Sequence, residues 1–291
     1  MLLHTPVAIE PSPLRLSHEK PVLLVGSCFT DHIGQRLRDY GFTVLTNPFG
    51  ILYNPLSIAE CLRRCYGGEE VGEEHLVQHN GLWHSWLHHG SFSAPTAEEC
   101  LAKCNTSLRE AHRLLQGGHS LLVTLGTAFV YEREGLAVAN CHKVPAGQFV
   151  KRQLSVEEVA AALQPYPALY TVSPIRHWAD GAHGNQLSKA TLLLAIDHTR
   201  HPYFPAYEIV MDELRDYRFY EPDMLHPSQV AVDIIWERFQ QTYMDPSTIA
   251  LGQKHHQLHL LEGHHPLHPH STEALKHQQR INTLRNELNI R

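Results

Sequence analysis

Short apolar runs alternate along the chain with amphipathic stretches, and the alternation predicts strands and helices in turn. Residues 21–25 form an apolar run that reads as a strand, ending in the turn Gly26-Ser27-Cys28-Phe29. A helix is predicted over 31–40: Ile33 and Leu37 stand four apart, Asp31 lies in its first turn, and Gly41 ends it. Residues 42–45 make a second strand, closed by Asn47-Pro48-Phe49-Gly50, and 57–65 a short helix. The stretch 66–95 is irregular and rich in Gly, His and aromatics, with short strands around 82–87. A longer amphipathic helix spans 96–116, with Thr96 as N-cap and Glu99 in the capping-box position.

The third strand, 120–124, is apolar in the manner of strands covered on both faces of a parallel sheet, and it runs into Gly126-Thr127. Residues 129–131 and 137–139 pattern as a hairpin leading to Asn140-Cys141-His142. A helix over 155–163 carries Ser155 at its cap and Glu158 three residues on. Strand 168–172 ends at Ser173-Pro174-Ile175-Arg176-His177, a helix follows over 186–198, then a fifth strand over 208–211 and a last domain helix over 227–243. Strands alternating with helices predict an α/β protein with a doubly wound parallel sheet.

After Asp245-Pro246 the character changes. Eight histidines lie between His255 and His277 among Leu, Pro and Gln, and a weakly helical segment follows over 273–288. The expected organisation is a catalytic domain at 1–245 and a histidine-rich, weakly helical or flexible extension at 246–291. The imidazoles are potential ligands, but their spacing fits no single closed site, so no metal is assigned.

Composition narrows the function classes. The chain has 291 residues, 43% hydrophobic and 19% charged, with a formal net charge of −6 and mixed signs, so it is a globular protein without a basic stripe for nucleic acid. Its N-terminus lacks a basic n-region and a long apolar h-region, and no apolar run could span a bilayer; a cytoplasmic protein with no membrane partner is expected. Cys61/Cys65 and Cys100/Cys104 are each four apart on helical faces, a spacing poor for disulfides. No Gly-x-Gly-x-x-Gly or P-loop occurs, so no organic cofactor is expected.

In an open α/β sheet, ligands bind at the carboxyl ends of the strands. The candidate chemistry therefore lies at Gly26-Ser27-Cys28, Gly50, Gly126-Thr127, 173–177 and the turn Asp223-Met224-Leu225-His226-Pro227-Ser228. An Asp three residues before a His can hold the imidazole Nδ1–H and turn Nε2 toward a nucleophile.

These blocks resemble the GSCFA family, a bacterial branch of the SGNH/GDSL hydrolase superfamily. Gly26-Ser27-Cys28-Phe29-Thr30 looks like the block that names it. Asn47-Pro48-Phe49-Gly50, 124–127, 140–143, 173–177, Ser188-Lys189, 207–220 and 223–228 look like further family segments, over about residues 20–240. The resemblance implies a three-layer α/β/α sandwich with a parallel, flavodoxin-like sheet and an esterase or acyltransferase acting on a small-molecule or glycan acyl ester.

In that scheme Asp223 and His226 are the late catalytic pair. The nucleophile is Cys28, aligned without a gap, or Ser27 if the turn shifts by one residue. A cysteine beside His226 at a helix start is expected to have a lowered pKa. The oxyanion hole implied combines the nucleophile's N–H with that of Gly50. The superfamily's third-block asparagine is missing after Gly126, so Asn140 or the Thr127 hydroxyl stands in for it. His142, Arg176 and His177 are candidates for binding substrate. The rival reading is a non-catalytic polar-ligand or glycan-binding module that retains the fold.

Overall fold

The computed structural model describes residues 5–264, 266–269 and 271–290. β1 (Val22–Gly26) leads to α1 (Cys28–Asp39), β2 (Val44–Thr46) and α2 (Pro55–Gly67). The hairpin β3 (Leu76–His79) and β4 (Leu82–Ser85) precedes α3 (Ala97–Leu115) and β5 (Ser120–Leu125). Then come β6 (Phe129–Arg133), β7 (Leu136–Val138), β8 (Val150–Gln153), α4 (Val156–Leu163), β9 (Leu169–Val172) and α5 (Gly181–Thr199). β10 (Tyr203–Phe204), a short α6 (Ala206–Glu208), α7 (Gln229–Tyr243), α8 (Pro246–Gly263) and α9 (Thr272–Glu287) complete the chain.

The fold is α/β, with a five-stranded parallel sheet in the order β10-β9-β5-β1-β2 flanked by helices. The all-apolar strands follow from burial on both faces. Leu23, Val25, Leu121 and Val123 pack with α2 to α5, whereas Val22, Leu24 and Leu122 pack with α1 and α7. The order of connection reverses between β1 and β5, the switch point at which such sheets leave a crevice. Cys61, Cys65, Cys100 and Cys104 are fully buried in the apolar cluster where α2 meets α3, so these thiols serve as core packing.

Both helix caps form as expected, the reciprocal bond of a capping box only at the second. Thr96 Oγ1 accepts from Glu99 N at 3.2 Å, and Ser155 and Glu158 form a reciprocal capping box. Three expectations need correction. The fifth strand is Tyr203–Phe204, not 208–211: Ala206–Glu208 is helical and Ile209–Glu213 is a π-helical turn. Pro205 ends the strand by removing a ladder donor, and Ala206, Ile209 and Val210 turn one helical stripe into the core. A strand at Val150–Gln153 joins the expected hairpin, making a three-stranded antiparallel sheet in the order β7-β6-β8. The expected weakly helical extension is a helical hairpin, α8 and α9, with Gly252, Leu258, Ala274 and Ile281 buried.

Two histidines behind the sheet connections are buried in neutral form. His88 stacks on Phe49 at 4.1 Å and meets Ser85 Oγ at 2.8 Å, and burial pushes its pKa down to about 3. His142 stacks on His84 at 4.6 Å, and burial pushes it down to about 4. Between the ordinary histidine value and these lowered ones, the unfolded chain binds protons that the folded chain does not. Stability should therefore fall as the pH drops from about 6.5 toward 4, by at most roughly 1.4 kcal/mol per pH unit for each histidine. Thermal melting across this interval checks it. His88→Phe should flatten the slope; an unchanged slope would remove His88 from the account.

Candidate active site

A pocket of about 650 Å³ opens at the carboxyl ends of the central strands, at the switch point between β1 and β5. Ser27 and Cys28 reach it from the end of β1, Gly126 and Thr127 from β5, Ser173 and Ile175 from β9. His226 closes one side, and the β6–β7–β8 sheet walls the other.

The turn after β1 is shaped by Gly26, whose φ is +146°. Its N–H donates to Asn47 Oδ1 at 2.8 Å, and Asn47 Nδ2 donates to Asp31 Oδ1 at 2.8 Å. Asn47 thus ties the end of β1 to the first turn of α1. Ser27 is the N-cap of that helix, its N–H bonded to Thr124 O at 3.1 Å. Its hydroxyl is buried and, among the described residues, neither caps the helix nor meets another partner.

Cys28 is the first helical residue, and its Sγ lies 3.9 Å from His226 Nε2. His226 Nδ1 donates to Asp223 Oδ2 at 2.5 Å. Asp223 Oδ1 accepts from the N–H groups of Leu225 at 2.8 Å and His226 at 3.0 Å, so the turn itself orients the carboxylate. Those two N–H groups and the imidazole hold the Asp223 pKa down to about 2. Sulfur, imidazole and carboxylate thus stand in a hydrogen-bonding line, with the imidazole and carboxylate side chains partly open to solvent.

The expected lowering of the cysteine pKa is not found. Burial raises the Cys28 thiol above its ordinary value, and Asp31 adds to this. The N–H groups of Cys28 and Phe29 and the charge of Lys189 pull the other way but are outweighed. The resting group is a thiol, which needs a base to become a nucleophile.

The remaining expected residues divide sharply. Gly50 lies off the pocket lining, and its N–H is taken by Asn47 O at 2.7 Å, so it does not offer an oxyanion donor in this geometry. The Thr127 hydroxyl faces Ser188 Oγ at 3.1 Å and accepts from Phe129 N at 3.0 Å. Asn140 lies on the lining, its Oδ1 accepting from His142 N at 2.8 Å. His142 is a structural residue, buried behind that wall with Nε2 on Ser85 O at 2.7 Å. Arg176 is also off the lining, its guanidinium over the Trp178 ring at 5.4 Å.

His177 does line the pocket. Its Nδ1 donates to Asp180 Oδ2 at 3.0 Å, and its Nε2 lies 3.2 Å from Ser188 Oγ. The Asp–His–Ser order imitates a catalytic triad, but Ser188 is 0% exposed and already accepts from Ala128 N at 2.7 Å. The group is a structural network holding the start of β6.

Two residues here were given no site role by the sequence, although Ser188-Lys189 stands among the family-like segments. Tyr53, after β2, lines the pocket, and its carbonyl accepts the N–H groups of Gly126 at 2.9 Å and Thr127 at 3.0 Å. Lys189 is fully buried, its Nζ donating to Gly126 O and Ser173 O, both at 2.8 Å, so it pins the ends of β5 and β9 together beneath the site. Burial lowers its pKa to about 7, and a negative charge on Cys28, when the thiol ionises, acts against this. The signal in the sequence was polar residues on a core-facing helical stripe: Asn185, Ser188, Lys189 and Leu192 are all buried on one side of α5.

Fold and pocket define an α/β protein whose candidate chemistry centres on a cysteine at the start of a helix, backed by a His–Asp pair. The GSCFA family profile matches residues 21–239, most of the chain and all of these site residues, and the chain belongs to the GSCFA family. No curated protein matches it. Among the described residues no helix is long and apolar enough to cross a membrane.

Proposed function

We propose that the protein is an acyl-transfer enzyme of the SGNH type, an esterase or acyltransferase that works through a thioester on Cys28. The helices against both faces of the sheet, and its order 2-1-3-4-5 counted by sheet strand, suit the flavodoxin-like sandwich of that superfamily. The observation that carries the reading is the line Cys28 Sγ, His226 Nε2, His226 Nδ1 and Asp223 Oδ2 at the end of β1.

The thiol passes its proton to His226 Nε2 as sulfur attacks the ester carbonyl. Asp223 stabilises the imidazolium and keeps the imidazole turned toward the sulfur. Negative charge on the carbonyl oxygen meets the N–H groups at the start of α1 and the amide of Asn140. The carbon–oxygen bond then breaks, and the leaving alcohol takes the proton from His226. In the second half, His226 removes a proton from water or an acceptor hydroxyl, whose oxygen attacks the thioester; the carbon–sulfur bond breaks, the imidazolium returns its proton to the Cys28 sulfur, and the acid or a new ester departs. Water makes the protein an esterase, a hydroxyl an acyltransferase.

Cys28 is favoured over Ser27 because its sulfur faces His226 while the Ser27 hydroxyl is buried without a partner. Intact-mass measurement after mixing with p-nitrophenyl acetate tests this. An acetyl adduct is expected on the wild type and Ser27→Ala and none on Cys28→Ala; the reverse pattern makes Ser27 the nucleophile. One observation favours the non-catalytic binding module instead: the backbone donors of Gly50, Gly126 and Thr127 are all internally bonded. Wild-type protein that forms no adduct with any ester would support that reading.

A further inference from the structure

The pocket's polar groups are nearly all committed to one another. Lys151 and Asp180 form an ion pair, and Asp180 also takes His177, so the charges at this wall cancel locally. His177 and Thr127 are held by Ser188, and both polar atoms of the Asn54 amide engage Ser57. Beyond Ser27 and Cys28 themselves, few groups remain for a ligand: the Asn140 amide, the Cys141 thiol, the Ser173 hydroxyl and the phenols of Tyr53 and Tyr131. A glycan would bring many hydroxyls to a wall with few partners, and each one buried unpaired costs binding.

The apolar side is the opposite case. Phe129 and Tyr131 stand two apart on β6 and so share a face, and Val138 of β7 pairs with Tyr131 on that face. Phe149 and Ile175 extend the same lining. Tyr131 is 41% exposed, an aromatic held toward open space. An acetyl group would leave most of the roughly 650 Å³ empty.

Direction follows from the proton transfer. The leaving oxygen must receive its proton from His226, on the solvent-open side, so the alcohol lies there and the acyl substituent points to the aromatic face.

Resting on the acyl-transfer reading, we propose that this pocket is an acyl-chain site selecting an uncharged, apolar acyl group well longer than acetyl, with the alcohol portion held outside near His226. Each added methylene is expected to raise kcat/KM about threefold to fourfold until the pocket fills.

The test compares p-nitrophenyl acetate, butyrate and hexanoate on the full chain. In parallel it measures alkylation of Cys28 by iodoacetamide and N-hexyl iodoacetamide, each rate divided by that for free cysteine. Hexanoate, four methylenes longer, should exceed acetate by about a hundredfold, the hexyl reagent should be preferred, and Tyr131→Ser should blunt both. Equal rates for acetate and hexanoate with a Cys28 adduct still forming would overturn the chain-site proposal and leave acyl transfer standing. If no ester acylates Cys28, the acyl-transfer reading fails, and the alkylation ratio decides the pocket. A raised ratio supports an apolar ligand, and a ratio like free cysteine's rejects it.

Discussion

His226→Ala is expected to slow acylation of Cys28 by about 10²- to 10⁴-fold at neutral pH. The size follows from the state of the sulfur. A cysteine that rests as thiolate loses little when its base is removed, but burial raises the Cys28 thiol, so on the acyl-transfer proposal His226 takes the proton as attack proceeds. The variant should recover as the medium replaces the base, its rate climbing nearly tenfold per pH unit until the thiol itself ionises. The wild type should not follow that line. Asp223 stays ionised until the pH falls to about 2, so an acid-side loss of activity above pH 3 belongs to another group. Stopped-flow release of p-nitrophenolate across the pH range reads all of this; a His226→Ala rate equal to wild type would leave the base without a role.

The second large effect concerns stability. A Cβ at Gly26 would sit 2.1 Å from Thr124 O, in the backbone of the adjacent central strand, and the φ of +146° is one that side-chain-bearing residues rarely adopt. Neither neighbour can yield, because β1 and β5 are paired in register from Val22↔Ser120 to Gly26↔Thr124. Steric overlap and backbone strain together should make Gly26→Ala cost about 3–6 kcal/mol, much of the stability of an ordinary domain. Gly117→Ala, where an added Cβ meets nothing within 4 Å, is the matched control and should change little. Urea unfolding midpoints separate the two; similar midpoints would mean that the β1–β5 seam is softer than its geometry implies.

Much of this arrangement was legible beforehand where local chemistry and global position agree. The apolar strands ending at Gly26 and Thr124, the caps at Thr96 and Ser155, and the Asp223–His226 spacing each carry their own physical signature. Errors arose where that agreement is absent. Ile209-Val210-Met211 suits a short strand and a helical turn equally, and only packing beneath the sheet chooses the helix. Val150–Gln153 carries Lys151 and Arg152 at its centre, so its membership of a sheet shows only in its pairing with β6. Gly50 has the expected spacing, but spacing cannot reveal that Asn47 O takes its N–H. Lys189 lies in a segment that resembles the family, but its place beneath the site was not legible, because lysine is ordinarily a surface residue and its burial depends on two carbonyls contributed by distant strands.

The histidine-rich segment bears on the chemistry from a distance. Tyr40, just past α1, stacks on His256 at 5.0 Å and packs closely against Gly252; His255 fills the space beside Gly41 and stacks with His18 at 5.7 Å. α1 is a rod of about 18 Å with the Cys28 sulfur at one tip and this clasp at the other. The family match ends at residue 239, before the clasp begins. A chain trimmed to the matched portion would keep Cys28, Asp223 and His226 and lose one of the anchors of the rod that carries the first of them.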